Sequence, residues 1–311
     1  MRFRQNNSLK RPDLIKPSAV LRLVRPKQWT KNLFVFSALV FSKHLFEWSF
    51  VQLSLEAFVA FSFTASLIYI INDAADRERD KLHPKKRFRP IASGEISLTQ
   101  AFSIAALILV ADVALASTLD PRFVVCLGIY FVMNLAYSFF LKELVLIDVF
   151  VIAIGFMLRV IGGALVIGVP RSSWLLLTTM FLSLFLGIAK RRGELVSMHS
   201  KEAEEEAKFH TRKVLEHYSI EFAEQMTTIC AAGFVISYAL YTVSDRTVKM
   251  FGTENLIMTT PFVLYGVFRY LYLLHKKNLG ESPTDIVLSD IPMIVNFVVY
   301  ALAMFFVIYI K

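Results

Sequence analysis

The chain has 311 residues, 56% of them hydrophobic, with 28 Phe against 12 Gly, a composition too apolar for a disordered or collagen-like protein. Its two cysteines, Cys126 and Cys230, both lie in apolar runs and read as small hydrophobes, which excludes a disulfide scaffold. The formal net charge of +9 does not point to a nucleic-acid partner, because the basic residues follow the one-sided distribution of a membrane protein.

In chain order, residues 1–27 are polar and basic and lack the apolar core of a cleavable signal. They read as a cytoplasmic tail ending in an amphipathic, interfacial stretch, 19–29, with Trp29 at the headgroup level. Nine runs then approach the roughly 20 apolar residues that cross a bilayer: 28–44, 50–72, 97–119, 121–140, 144–168, 173–189, 223–243, 257–275 and 291–310. The first is the least apolar, since Lys31 and Lys43 interrupt its ends. The predicted fold class is all-α, a polytopic membrane protein with nine transmembrane helices.

Of the 34 Lys and Arg, 25 fall in 1–27, 73–96, Lys142, 190–222 and 276–290. Six (Lys43, Arg122, Arg171, Arg246, Lys249 and Lys311) fall on the other side, and Lys31, Arg159 and Arg269 lie in or at spans. This asymmetry predicts a cytoplasmic N-terminus, an external C-terminus and cytoplasmic polar loops. A transport channel would need polar groups across the whole membrane; here the polar chemistry lies on one face.

The second span ends in Tyr69-Ile70-Ile71-Asn72-Asp73-Ala74-Ala75-Asp76-Arg77-Glu78-Arg79-Asp80. On a helix Asp76 lies about 60°, and Asp80 about 20°, from Asp73. The same stripe runs back through Tyr69, Ser66 and Ser62, so the spacing predicts a polar groove descending from the cytoplasmic face, although Ser62 and Ser66 also suit close helix packing. Three like charges on one face require a cation. Mg²⁺ with a diphosphate meets that need, as does salt bridging to Arg77 and Arg79. The next segment is broken by Pro84 and Pro90 and brings Lys85, Lys86, Arg87 and Arg89 beside the carboxylates, an arrangement suited to a metal–phosphate ligand or to anionic lipid.

Further along, Asn134 and Tyr137 share a face of the fourth span, where Tyr137 suits a sugar, a phosphate or interfacial anchoring. Arg159 lies inside the fifth span with Asp148 about 20° away on its face; it reads as a phosphate-binding residue or as half of an ion pair. Lys190 and Arg191 close the sixth span, a position that also suits the helix dipole. Residues 201–222 read as a solvated helix. The six histidines form no metal-ligand pattern.

Asn72-Asp73-x-x-Asp76-x-x-x-Asp80, followed by His83-Pro84, Arg89-Pro90-Ile91-Ala92 and Gly94, resembles the UbiA superfamily of membrane prenyltransferases. The aromatic prenyltransferases of that superfamily carry a second Asp-rich motif after the sixth helix, where this chain has Lys190-Arg191-Arg192-Gly193-Glu194-Leu195. In this it is similar to the decaprenyl-phosphate phosphoribosyltransferase branch. So are Arg25-Pro26-Lys27-Gln28-Trp29-Thr30-Lys31-Asn32, Tyr137-Ser138-x-x-Leu141-Lys142, Leu158-Arg159-x-x-Gly162-Gly163, Arg269-Tyr270 and Gly280-Glu281-x-Pro283-x-Asp285.

The resemblance implies one UbiA-like membrane domain over 1–311 in the bacterial plasma membrane, compatible with a homo-oligomer. It implies Mg²⁺ on the catalytic residues Asp73, Asp76 and Asp80. Substrate would be bound by Lys31, Asn32, Tyr69, Asn72, Arg87, Arg89, Tyr137, Lys142, Arg159, Lys190, Arg191 and Glu194. The implied reaction moves 5-phosphoribosyl from phosphoribosyl diphosphate to a polyprenyl phosphate and releases diphosphate. The competing expectations are an aromatic prenyltransferase with a polyprenyl diphosphate donor and a non-enzymatic lipid carrier or transporter.

Overall fold

The computed structural model describes residues 16–198, 213–276, 286 and 289–310, and among these the chain is helical with no β-strand. Helix α1 (Pro17–Val24) is followed by a 3₁₀ segment, Pro26–Phe36, that runs on into a single turn, Ser37–Val40. The other helices are α2 (Trp48–Ala75), α3 (Arg77–Leu82), α4 (Leu98–Ala116), α5 (Pro121–Phe139), α6 (Ile147–Val166), α7 (Ser173–Met198), α8 (Ile220–Val243), α9 (Asp245–Phe251), α10 (Thr260–Lys276) and α11 (Ile291–Phe305). Among the described residues eight helical stretches are long and apolar enough to cross a membrane: α2, α4, α5, α6, α7, α8, α10 with its preceding turn, and α11 with its extension to Ile310. The protein is an integral membrane protein, and these eight match eight of the nine predicted spans.

The remaining predicted span, 28–44, is not a continuous α-helix. At about 2.0 Å per residue a 3₁₀ segment covers more distance than an α-helix of equal length, so 26–40 extends roughly 28 Å, close to the hydrocarbon thickness. It runs antiparallel to α2: Trp29 Nε1 donates to Ser66 Oγ (3.1 Å), Asn32 Nδ2 to Ser62 Oγ (3.0 Å), and the Phe36 and Phe58 rings meet at 5.5 Å. Ser62 and Ser66 are therefore helix-docking residues. On its other side the segment presses on α6, where a Cβ at Gly163 would lie 2.0 Å from the Val35 carbonyl oxygen. Glycine at 163 is what permits this approach.

Two other expectations are corrected. Lys190 and Arg191 do not end a helix; α7 continues to Met198, because carboxylates neutralise the cations inside it. The expected solvated helix 201–222 lies outside the described residues as far as 212, and beyond it Val214, Leu215 and Tyr218 are buried rather than solvated. The Gly280–Asp285 motif also lies outside the described residues.

The core has two main centres. One joins α6, α7, α8 and α10 around Ala153, Phe185, Ala231 and Leu273; the other joins the 3₁₀ segment, α2, α5 and α6 around Val35, Phe61 and Phe123. Helix α6 belongs to both, as the central strut. Outward-facing Leu107, Val110, Val125, Val132, Phe297 and Leu302 suit a lipid surroundings, which is as apolar as their side chains.

Candidate active site

The acidic stripe stands where α2 gives way to α3. With 28 residues α2 is roughly 42 Å long, longer than the roughly 30 Å of hydrocarbon, so its last turns carry polar residues beyond the apolar layer. Helical dihedrals stop at Asp76, but Asp76 N–H still reaches the Asn72 carbonyl (2.9 Å) and Asp80 N–H the Asp76 carbonyl (2.8 Å). The stripe thus survives the break.

Asp73 and Asp80 are both buried. Arg89 Nη1 donates to Asp73 Oδ1 (3.0 Å) and to Asp80 Oδ2 (2.7 Å), and Arg25 Nη2 donates to both oxygens of Asp73 (2.6 Å each). Burial pushes the Asp80 carboxyl up, opposed by the Arg89 guanidinium. Asp76 is more open and faces Arg79 at 3.8 Å. The guanidinium of Arg25 also lies 4.9 Å from the Tyr69 ring centroid.

Local structure sets these cations in place. Arg25 has left-handed backbone dihedrals (φ 55°) at the corner between α1 and the 3₁₀ segment, a conformation costing about 1–2 kcal/mol outside glycine. Buried Ala19 and Leu23 on α1 hold that corner against Ile70, Ile91 and Ile96. In the following loop His83 Nδ1 accepts from the backbone N–H groups of Lys85 and Lys86 (3.1 Å each), which bends the chain at His83-Pro84 and returns Arg89 to the stripe. Arg87 is exposed and lies over Phe88, on the outside of this loop.

Deeper in the bundle Arg159 is buried among neutral groups. It donates from Nε to Asn32 Oδ1 (2.7 Å), from Nη1 to the Gly155 carbonyl (2.8 Å) and from Nη2 to Tyr130 Oη (2.7 Å). Lys31 lies in electrostatic reach of Arg159, Arg25 and Lys190, and Tyr69 in reach of Arg159, Arg25 and Asp73. Arg25 and Arg89 thus close on the acidic stripe, while Asn32 and Tyr130 hold Arg159 deeper in the bundle.

Arg191 stands differently. It is 1% exposed and donates from Nε to Asp148 Oδ2 and from Nη1 to Glu194 Oε2, each at 2.7 Å. Tyr218 Oη donates to Asp148 Oδ1 (3.0 Å) and accepts from Leu146 N–H (2.8 Å); burial, reinforced by Asp148, pushes the phenol up to about 12. The Arg191–Asp148 pair thus binds α7 to α6, and Glu194 steadies Arg191 from within α7. The expected Arg159–Asp148 pair is not formed, because Arg191 takes Asp148. Tyr137 lies in electrostatic reach of Arg191, while Lys142 sits half-buried in the turn Leu141–Glu143.

Three residues were not expected at the site or in its membrane surroundings. Arg25 was visible only as part of a motif, and Tyr130 only as an aromatic in an apolar run. Asp112 is buried in α4 and accepts from Thr64 Oγ1 (2.5 Å); as an intramembrane carboxylate it carried a signal of its own.

Among the described residues no three His, Cys, Asp or Glu side chains are arranged to hold a metal ion. Asp73, Asp76 and Asp80 nonetheless supply only hard oxygen donors, the kind that suits Mg²⁺. A separate cleft at the opposite end of the bundle, lined among others by Phe41, Arg171, Tyr241 and Arg246, contains no carboxylate and belongs to no part of this site.

Residues 33–285 match the model of the UbiA prenyltransferase family. The chain is 34% identical over 284 residues to a decaprenyl-phosphate phosphoribosyltransferase of Mycolicibacterium smegmatis, covering 88% of this chain and 87% of the relative. It is 32% identical to the protein of the same name from Corynebacterium glutamicum, covering 92% and 85%. Among solved structures a UbiA homologue from Archaeoglobus fulgidus bound to GPP and Mg²⁺ superposes with a TM-score of 0.67 at 21% identity, over 93% of this chain and 99% of that one.

Proposed function

This chain belongs to the UbiA prenyltransferase family, and we propose that it transfers 5-phosphoribosyl from phosphoribosyl diphosphate to a polyprenyl phosphate. It is a transferase with one membrane domain, nine membrane-crossing segments counting 26–40, and a groove open to the cytoplasm. The lysine and arginine asymmetry supports that orientation in the bacterial plasma membrane. The relatives' shared name supports the choice of substrates.

The observation that carries the reading is the balance of charge around the groove. The carboxylate stripe faces Arg25 and Arg89, Arg159 stands deeper in the bundle on neutral oxygens, and Lys190-Arg191-Arg192 occupies the place of the second acidic motif expected of an aromatic prenyltransferase. A reaction bringing together a sugar phosphate, a diphosphate and a lipid phosphate requires such an excess of cations.

Asp73, Asp76 and Asp80 would hold Mg²⁺, which when bound offsets the charge of the leaving diphosphate. Arg25 and Arg89, released from Asp73 and Asp80, would grip the diphosphate oxygens and stabilise the charge they gain as the bond from C1 breaks. A phosphate oxygen of the lipid attacks C1; it is already anionic near neutrality, so no residue need act as a strong general base. Tyr69, between the two tiers of cations, is suited to orient the sugar.

The test is incubation of the purified protein with labelled phosphoribosyl diphosphate, polyprenyl phosphate and Mg²⁺, followed by extraction of the lipid. The label is expected in the lipid fraction. Prenylation of an aromatic acid, with no ribosyl transfer, would replace this reading by the aromatic prenyltransferase.

A further inference from the structure

We propose that Arg159, with Asn32 and Tyr130 around it, forms an intramembrane site for the phosphate of the lipid substrate, separate from the site of the sugar diphosphate. The assignment rests on the reaction proposed above and adds which substrate meets which cations.

Among the described residues three arginines are buried: Arg159, Arg191 and Arg192. Arg191 pairs with Asp148 and Glu194, and Arg192 with Glu224 (2.7 Å). Among the described residues the hydrogen bonds of Arg159 are the three already given, and all of them go to neutral oxygens. A guanidinium has five N–H groups, so one on Nη1 and one on Nη2 remain. Taking a cation out of water without an opposite charge costs several kcal/mol, and the faces of Tyr130 (4.7 Å) and Phe156 (5.2 Å) offset only part of that. The site is therefore built for an anion that arrives from elsewhere.

Depth selects the source of the anion. Arg159 is 12 residues into α6, roughly 18 Å from its start. Its side chain turns back one helical turn to Gly155, still well inside the apolar layer. Phe34, Phe156 and Met133 form the surroundings. A phosphate carried on an apolar chain reaches this depth while its tail stays in hydrocarbon. The sugar diphosphate, with its several charges, would have to leave water to do so. It is better served by Arg25 and Arg89, which sit at the end of α2 and are about a quarter exposed.

The experiment uses the full-length protein in detergent, with farnesyl phosphate as probe and farnesol as its uncharged control, titrated calorimetrically without sugar donor. Wild type is expected to prefer farnesyl phosphate by about tenfold or more, the range of a charge-assisted contact. Arg159→Gln should remove that preference and leave farnesol binding as it was. Under turnover the same variant should raise KM for polyprenyl phosphate by about tenfold and leave KM for phosphoribosyl diphosphate within about twofold. Should Arg159→Gln fail to purify, Tyr130→Phe keeps the charge but removes the hydroxyl that orients Nη2. It should weaken farnesyl phosphate binding about three- to tenfold with farnesol unchanged. Unchanged farnesyl phosphate affinity in the variant that purifies, or a rise confined to the KM of the sugar donor, overturns the assignment. If wild type binds farnesyl phosphate through Arg159 but transfers no ribosyl group, the lipid-phosphate site stands and the proposed reaction falls.

Discussion

Asp73 and Asp80, seven residues apart, share one nitrogen: Arg89 Nη1 lies 3.0 Å from the first and 2.7 Å from the second. Arg25 closes the other side of Asp73. The stripe is thus held together by arginines, whereas Asp76 faces Arg79 at 3.8 Å. Asp76→Asn should therefore abolish most activity with little change in thermal stability. Asp73→Asn should abolish activity and also lower the unfolding temperature, because Arg25 and Arg89 lose a buried partner. Thermal unfolding in detergent, run beside the ribosyl-transfer assay, checks both. EDTA should remove activity and Mg²⁺ restore it, and full activity in either variant contradicts the assignment.

Lys190 and Arg191 are neighbours with different expected consequences. Lys190 is half exposed, so Lys190→Ala should fold normally and raise KM for a phosphate-bearing substrate by about tenfold, the value of one charge-assisted contact. Arg191→Ala leaves Asp148 and Glu194 without their buried cation and should cost about 3–5 kcal/mol of stability. Normal stability of Arg191→Ala, measured by yield and unfolding temperature, would show that the α6–α7 clasp is dispensable.

Gly163→Ala should displace the 3₁₀ segment. The new methyl group would meet the Val35 carbonyl oxygen at 2.0 Å, backbone that cannot step aside cheaply. A loss of about 1–3 kcal/mol is expected, accompanied by weaker activity, because Arg25 and Asn32 are carried by the segments that move. An unfolding temperature equal to wild type would refute this packing.

Orientation can be read with single cysteines at two exposed positions, Glu78→Cys beside the acidic stripe and Glu254→Cys at the opposite end. The native Cys126 and Cys230 are buried and should contribute little background. The cytoplasmic-groove reading expects a membrane-impermeant maleimide to label position 254 in intact cells and position 78 only after lysis. The reverse pattern overturns it.

The acidic stripe, eight of the spans and their charge asymmetry were legible in the sequence because each is a local property. A helix repeats every 3.6 residues wherever it lies, and a bilayer demands apolar length whatever the neighbours. That is why 62, 66, 69, 73, 76 and 80 could be placed on one face before any contact was known. Partnership is not local. Arg159 and Asn32 are 127 residues apart, and Arg159 meets Asn32 because Gly163 lets the 3₁₀ segment lie against α6. Asp148 shares a helical face with Arg159, yet it goes to Arg191 on α7, which leaves Arg159 among neutral groups. Periodicity states which side of a helix a charge is on. Only the packing of one helix against the next decides which opposite charge is there to meet it.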